Sequence, residues 1–547
     1  MLIRIKMTNN IKPYIIMKPY LFTFIFVLSC FATLFSGCSD SDKVSSVVEV
    51  TLSSNSISIK AGSSDTLTVN YFPRNANNKN VTWSATDTSI AKVSSNGIVT
   101  AVRPGTSRIK VVSKDTGESD SCAVTVDPSN TISVSGDVSG DWPAYSLVHV
   151  DGQVNVPAGK TLTIEKGVKV IINTANQDAN DTKIEFIVNG SLYCYGTKND
   201  SVLFSVAAAS RTANNTFTGL WGGIIGSATC PEMVLDHTIV EYTGATTTST
   251  SPSVVLGLFK AGGGDQMVAF NTNNPNGKYV VTNSTFRNTA ADGIYVQGGS
   301  CIFTYNSFYT VGSVAGGGEA INVKAGCVAD AAYNLMYSPN TNGLKLSSAG
   351  QSNTRLEAKI NGYNNTMINA GWRRNPADPK GGSIWAEKGA LVNVINNLVV
   401  NCMFGARAPG WGKNSTTGPD LKSIIDYNYY ASGTQQSSIP QHIANGTVTA
   451  YDGFKTGVTN EVYGNHDVRG TAAGTNDPTF VNFPFATNPL LAYTFDMSWD
   501  FHLKSGSAAL TGGSTLTPFF NNPGLTINGI TYTSPMPSSY FGAFGTE

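Results

Sequence analysis

Residues 282–286 read TNSTF, 305–309 YNSFY, 333–337 YNLMY, 364–368 NNTMI, 396–400 NNLVV and 427–430 YNYY. The asparagines these segments share, Asn283, Asn306, Asn334, Asn365, Asn397 and Asn428, are separated by 23, 28, 31, 32 and 31 residues. Such regularity is a repeat period. Between them lie short apolar strands of one kind: GIYV from Gly293, AINV from Ala320, GLKL from Gly343 and SIWA from Ser383. A unit of this length, built from short strands with one recurrent Asn at a corner, fits a coil of a parallel β-helix. Stacked coils lie about 4.8 Å apart, close enough for each side-chain amide to bond its copies above and below. The repeat predicts a structural asparagine ladder inside an all-β fold.

Composition narrows the field in the same direction. Only 13% of the 547 residues are charged, 41% are hydrophobic and 55 are Gly. Helical repeats and coiled coils need more Ala, Glu, Lys, Leu and Arg than this, and disorder needs less hydrophobicity. Thirty-six basic residues balance 36 acidic ones. Four of the basic residues, Arg4, Lys6, Lys12 and Lys18, fall in the first 37 positions, which hold no acid, so the chain from Cys38 onward carries a net charge of −4. That balance argues against nucleic acid as a partner, since such binding draws on phosphate neutralisation.

Upstream of the repeat, residues 47–127 alternate short strands with Gly, Pro, Asn and Asp, the pattern of a β-sandwich. Trp83 reads as core, Asn96-Gly97 as a tight hairpin turn and Pro104-Gly105 as the turn before the next strand. The stretch VTWSATDTSIAKVSSNGIVTAVRPGTSRI (81–109) resembles the bacterial Ig-like domain of group 2, which implies a spacer module. Further upstream, a basic start is followed by the apolar run LFTFIFVLSCFATLF (21–35) and Ser36-Gly37-Cys38. Met17, just before Lys18, reads as the start of this signal. It resembles a bacterial lipoprotein signal, with Phe35 standing where that family usually carries Leu. The resemblance implies a lipid on Cys38 and an anchor in the outer membrane. Ser39-Asp40-Ser41-Asp42 is similar to the short acidic tag that places Bacteroidetes lipoproteins on the cell surface.

At the start of the long repeat, the segment GDVSGDWPAYSLVHVDGQVNVPAGKTLTIEKGVKVII (136–172) resembles the first coils of right-handed parallel β-helix proteins of the pectate-lyase-like superfamily. DPTF from Asp477, FHLKSGSAAL from Phe501 and YFGAFGTE from Tyr540 are similar to the tails of such surface proteins. The expected organisation is a signal peptide at 1–37, a tether at 38–46, the Ig-like domain at 47–127, and a right-handed parallel β-helix with a C-terminal cap at 131–547. This resemblance is specific for fold and poor for activity, because the superfamily hosts lyases, hydrolases, epimerases, phage spikes and adhesins.

Beyond Cys30 in the signal and Cys38, six cysteines remain: Cys122, Cys194, Cys230, Cys301, Cys327 and Cys402. No CxxC pair and no His at ligand spacing accompanies them, so the sequence offers no zinc site and calls for no cofactor. Most read as small core hydrophobes. Cys301 and Cys327, 26 residues apart, would fall on neighbouring coils, which leaves a disulfide between them open.

A ligand site is sought where the repeat is interrupted. Of four intervals from ladder Asn to the next strand, the longest holds GWRRNPADPKGG (371–382), and insertions in a solenoid become loops on its binding face. Trp372, Arg373, Arg374 and Lys380 lie in this loop, with Trp385, Arg407 and Trp411 following. Arg forks suit carboxylate or sulfate and indole faces suit sugar rings, so the expected ligand is an extracellular polysaccharide or host glycan. A polysaccharide lyase would need a cation to neutralise a uronate, here Arg373, Arg374 or Lys380, and a base such as Lys345. A hydrolase would need paired carboxylates, for which Asp292, Glu319 and Glu387 are scattered candidates. A purely structural adhesin needs neither.

Overall fold

The computed structural model describes residues 45–547 apart from 176–180, 262–265, 314–316, 375–380, 412–416, 441–459 and 471. Cys38 and the signal lie outside the described residues. Among those described, almost no helix forms: one α-helical turn, Pro252–Val255, and three short 3-10 turns interrupt the strands.

Residues 49–127 form a sandwich. Strands Ser56–Lys60, Ser119–Asp127, Gly105–Ser113 and Val81–Ala85 make one sheet, with smaller sheets built from Glu49–Leu52, Ser64–Thr66, Val69–Phe72, Ala91–Val93 and Ile98–Ala101. Alternation sets the inner face. In Gly105–Ser113, Ile109 and Val111 point into a core with Val50, Leu67, Val99 and Val124, while Arg108 and Lys110 face water. Trp83 packs half-buried against that core. Gly97 closes the Ser94–Ile98 hairpin at φ 79°, where a Cβ would meet the Leu67 carbonyl at 2.2 Å, so the turn requires glycine.

From Thr131 onward the chain winds as a parallel β-helix with three strands per coil. One coil shows the plan: Lys278–Thr282 belongs to sheet A, Thr285–Thr289 to sheet B and Ile294–Val296 to sheet C, and each pairs in parallel with the equivalent strand of the next coil. Sheets B and C are joined at the first coils by the long strand Leu147–Val156, whose halves pair with Lys169–Ile172 and Phe186–Val188. Inward residues of all three sheets make one continuous core from Trp142 to Tyr430, with Phe286 and Phe308 stacked at 5.2 Å. The six described cysteines outside the signal are buried free thiols. Cys301 pairs in register with Ala329 and Cys327 with Gly299, a two-residue offset. Burial pushes the Cys402 thiol up to about 12, which keeps it a neutral core group.

The asparagine ladder sits at the A-to-B corner. Each corner is a two-residue turn whose first residue is left-handed: Tyr305 at φ 60°, Tyr333 at 57°, Asn364 at 50°, Asn396 at 58° and Tyr427 at 56°. The second residue turns its amide into the stack. Nδ2 of Asn306, Asn334, Asn365 and Asn397 donates to Oδ1 of the next Asn at 3.0, 2.8, 2.9 and 2.9 Å. Each of those Oδ1 atoms also accepts the backbone N–H of the preceding Asn. Asn283 departs from the expected ladder. It occupies the left-handed position, at φ 51°, and Ser284 takes the ladder place, with its N–H donating to Asn306 Oδ1 at 3.0 Å. At the other end Asp467 substitutes for an Asn, accepting the Asn428 N–H at 2.7 Å.

The C-terminal segment covers two of the three outer faces. Phe480, Phe495, Trp499 and Phe501 cap the aromatic outer face of sheet B, where Tyr309 stacks on Phe495 at 4.4 Å. The hairpin Leu525–Ile527 and Ile530–Tyr532 lies over Tyr193, Val234, Val280 and Ile302 of sheet A. Polar contacts fix its course. Tyr333 and Tyr363 hydroxyls donate to the Met536 and Pro535 carbonyls, and Asp330 accepts the Phe519 and Phe520 N–H groups. Beside sheet C lie described residues of the connection after Glu241, where Phe259, Lys260 and Gln266 border Tyr295.

One buried acid makes the stability of this body depend on pH. Glu185 is fully enclosed, with Ser253 N–H on Oε2 at 2.8 Å and no partner for Oε1 among the described residues. Burial pushes its carboxyl up to about 7. Its folded value thus exceeds its unfolded one, so the contribution to stability is fully present below about pH 4.5 and falls as the pH rises to about 7. Glu185→Gln should therefore leave stability unchanged near pH 4 and raise it by about 1–2 kcal/mol at pH 8. Equilibrium denaturation at the two pH values checks this, and equal effects at both would refute it.

Candidate functional site

The structure separates the residues that the sequence groups together. Trp372 is fully buried, its Nε1 donating to the Asn401 carbonyl at 2.8 Å and its ring packed with Met403, Phe404 and Leu490. No indole face is left for a sugar. Arg373 turns inward as well, 6% exposed. Its guanidinium donates to the carbonyls of Gly312 (2.7 Å), Val311 (2.8 Å) and Ser338 (2.6 Å) and to Ser338 Oγ (3.1 Å). Phe217 and Tyr493 lie under it at 4.9 and 5.9 Å, and burial lowers the guanidinium to about 10. Arg373 thereby supplies donors to three coil carbonyls at the B-to-C corner. Arg374 is half-buried, Trp411 packs half-buried against the main core, and Lys380 lies outside the described residues. Nor is 371–382 the longest B-to-C insertion, since the connection between Glu241 and Phe270 exceeds it.

Trp385 and Arg407 belong to a different feature, the outer face of sheet C. There the register aligns Asn271, Tyr295, Asn322, Lys345, Trp385 and Arg407 in one column across six coils. The Arg407 guanidinium lies 4.9 Å above the Trp385 ring, and Trp385 Nε1 donates to Glu387 Oε2 at 2.8 Å. Beside the column, where each coil enters sheet C, stand Asp292 and Glu319. The strand sequences explain why. DGIYV (292–296), EAINV (319–323) and NGLKL (342–346) share one coil position, so their first residues superpose, as do Tyr295, Asn322 and Lys345.

These acids and lysines form one network. Asp292 Oδ1 accepts the N–H groups of Gly318 (2.7 Å) and Glu319 (3.0 Å), and Oδ2 accepts Asn322 Nδ2 at 2.8 Å. Lys345 Nζ pairs with Glu319 Oε1 at 3.4 Å. Burial, and then the adjacent Glu319 charge, pushes the Asp292 carboxyl up. Burial is the largest single influence on Glu319 and opposes its ionisation, but Lys345, the hydrogen bond with Asp292 and Lys324 together outweigh it and hold that carboxyl low. The two neighbouring carboxyls are thus pushed apart, Asp292 upward and Glu319 downward. Lys324 lies 5.4 Å from the centre of the Tyr295 ring, and burial with repulsion from Lys345 brings it down to about 8. The network borders a cleft of about 460 Å³ lined by Phe259, Gln266, Asp292, Tyr295 and Glu319. Among the described residues no three acidic, His or Cys side chains group as metal ligands would.

Residues 46–126 match the bacterial Ig-like domain, group 2. That segment is a group 2 Ig-like domain. An uncharacterized protein of Clostridium acetobutylicum is 37% identical over 107 residues, 19% of this chain and 11% of that protein. An alpha-L-arabinofuranosidase of Bifidobacterium longum subsp. longum is 34% identical over 116 residues, 21% of this chain and 10% of its own. The chain thus spans about a tenth of the length of these curated relatives. The Ig-like domain meets the β-helix through Tyr145, which packs against the Ig-like core, and through Arg103, 3.8 Å from Asp200.

Of the sequence candidates, the fold brings together Lys345, Asp292, Glu319, Glu387, Trp385 and Arg407, and sets Trp372 and Arg373 apart as packing. Tyr295, Asn322 and Lys324 were missed. The signal for them is the aligned fourth and sixth positions of the DGIYV-type segments, visible once each strand is read from the residue before its glycine or alanine.

Proposed function

We propose that this chain is a lipid-anchored protein of the bacterial outer membrane, exposed at the cell surface, that binds an extracellular polysaccharide or host glycan along sheet C. Its β-helix is read as right-handed and of the pectate-lyase-like superfamily, with the Ig-like domain as spacer. The observation that carries the reading is the sheet C column. Tyr295 and Trp385, both partly exposed, stand three coils apart in it with the partly exposed Lys345 between them, along a face that the C-terminal segment leaves uncovered. Flat aromatic platforms with spaced polar groups suit an extended sugar chain.

The test uses intact cells and a fluorescent glycan library. Wild-type cells should bind at least one glycan, Cys38→Ser should move the binding to the supernatant, and Trp385→Ala with Lys345→Ala should lower it more than tenfold. Binding that survives the double substitution would sink the sheet C reading.

A second reading, a polysaccharide lyase or related carbohydrate-active enzyme, is favoured by the Asp292, Glu319, Lys324 and Lys345 cluster. Lysines whose charge is balanced this finely recur where proton transfer is needed. In β-elimination Lys324, as free amine, would take the proton α to a uronate carboxylate. The C–O bond at the β carbon would then break, a C=C bond would form, and the leaving oxygen would take a proton. Ultraviolet absorbance of unsaturated product from any bound glycan, lost in Lys324→Met, distinguishes this reading from binding alone.

A further inference from the structure

We infer that the outer face of sheet B carries a second ligand site, an anion pocket for a carboxylate- or sulfate-bearing sugar unit. The register builds it. One outward column runs Glu241, Arg287, Tyr309, Tyr337, Ile368 and Val400, charged at one end and apolar at the other. The C-terminal segment seals the apolar end from Tyr309 onward and stops at Tyr493 to Met497. Where it stops, a pocket of about 440 Å³ opens over the charged end, within the range of small-ligand clefts.

Three charged groups line this pocket: Arg211, Arg287 and Glu241. Glu241 is almost completely covered, its side chain 3% exposed, and it is already satisfied. Ser205 Oγ donates to Oε1 at 2.5 Å and Arg287 Nε to Oε2 at 2.6 Å. Arg211 Nε stands 3.8 Å from Oε1 and donates to the Val206 carbonyl at 2.9 Å. One carboxylate thus faces two guanidiniums, and the pocket keeps a net positive charge. Both arginine side chains are about a third exposed, 32% each, on the pocket side of a floor whose acid is spent.

The walls fit a sugar better than a bare ion. Tyr309 and Phe495 are stacked and rigid, and Tyr493 is held by Thr310 Oγ1 donating to its carbonyl at 2.7 Å. Tyr493 and Met497 remain exposed, 39% and 74%, giving an apolar surface beside the guanidiniums. An oxyanion carried on a ring with an apolar face satisfies both halves, and uronic acids and sulfated sugars share that chemistry. The anion preference stands on this pocket alone. Its assignment to a sugar rests on the glycan reading above.

The probes are a uronic acid tetrasaccharide, a sulfated disaccharide and a neutral tetrasaccharide, each titrated calorimetrically into the full chain. The wild type should bind one or both anionic probes and not the neutral one at this pocket, with affinity falling as salt rises. Arg211→Ala should weaken that binding at least tenfold. Thr212→Glu, which places a carboxylate at the exposed rim without touching Glu241, should do the same with an unchanged unfolding midpoint. Trp385→Ala and Lys345→Ala on sheet C should leave it intact, which separates failure of this pocket from failure of the sheet C site. Whichever anionic probe binds identifies the acid. Binding of neither, or binding unmoved by both pocket variants, overturns the proposal.

Discussion

Arg373→Ala should lower the unfolding free energy by about 3–5 kcal/mol, an effect expected of a core residue rather than of a loop charge. The guanidinium is buried and its partners are carbonyls of two successive coils, Val311 and Gly312 on one and Ser338 on the next. Removing it strips charge-assisted donors from three buried acceptors and leaves a cavity between Phe217, Tyr493 and the corner. Arg373→Lys should recover less than half of the loss, because one ammonium cannot reach the spread of acceptors that a planar fork spans. Arg374, half-buried beside it, provides the comparison: Arg374→Ala should cost less than about 1 kcal/mol. Chemical denaturation followed by tryptophan fluorescence measures both. Equal effects for the two arginines would show that the corner does not depend on the Arg373 fork.

The arginine pair illustrates where sequence reading succeeds and where it stops. Coil geometry was legible because it repeats: a period near 30 residues, short strands and a recurrent Asn leave few alternatives. Side-chain direction in a loop does not repeat. GWRRNPADPKGG reads as a charged rim, and only the fold shows that Gly371, left-handed at φ 88°, lets the chain turn Trp372 and Arg373 back under the corner. Register is the intermediate case. Asp292 and Glu319 look scattered along the chain, yet they occupy one coil position, and an alignment begun one residue earlier in each strand makes them coincide. The same one-residue shift separates Asn283 from the ladder, since TNSTF places its Asn in the left-handed turn position and its Ser in the stack.

The ladder itself supplies the second large effect. Asn365→Leu keeps the size of the side chain and removes its amide. In the folded chain that amide donates to the Ala331 carbonyl at 3.0 Å and to Asn397 Oδ1 at 2.9 Å, and accepts both the N–H and the Nδ2 of Asn334 at 3.1 and 2.8 Å. After substitution the Asn334 N–H and the Ala331 carbonyl are left without these partners in a site that water does not reach, and each such orphan costs about 1–3 kcal/mol. The expected loss is about 3–5 kcal/mol, felt mainly by the coils on either side because a solenoid couples nearest neighbours. Hydrogen exchange should localise it, with protection falling in Cys327–Ala332, Leu335–Tyr337 and Leu391–Ile395 before the first coils respond. Asn283→Gly, at a left-handed position whose amide makes only exposed bonds, to Asp236 Oδ1 at 3.2 Å and Thr282 Oγ1 at 3.3 Å, should change stability by less than about 1 kcal/mol. Were Asn365→Leu no more damaging than Asn283→Gly, the hydrogen-bonded stack would not be what holds the coils in register.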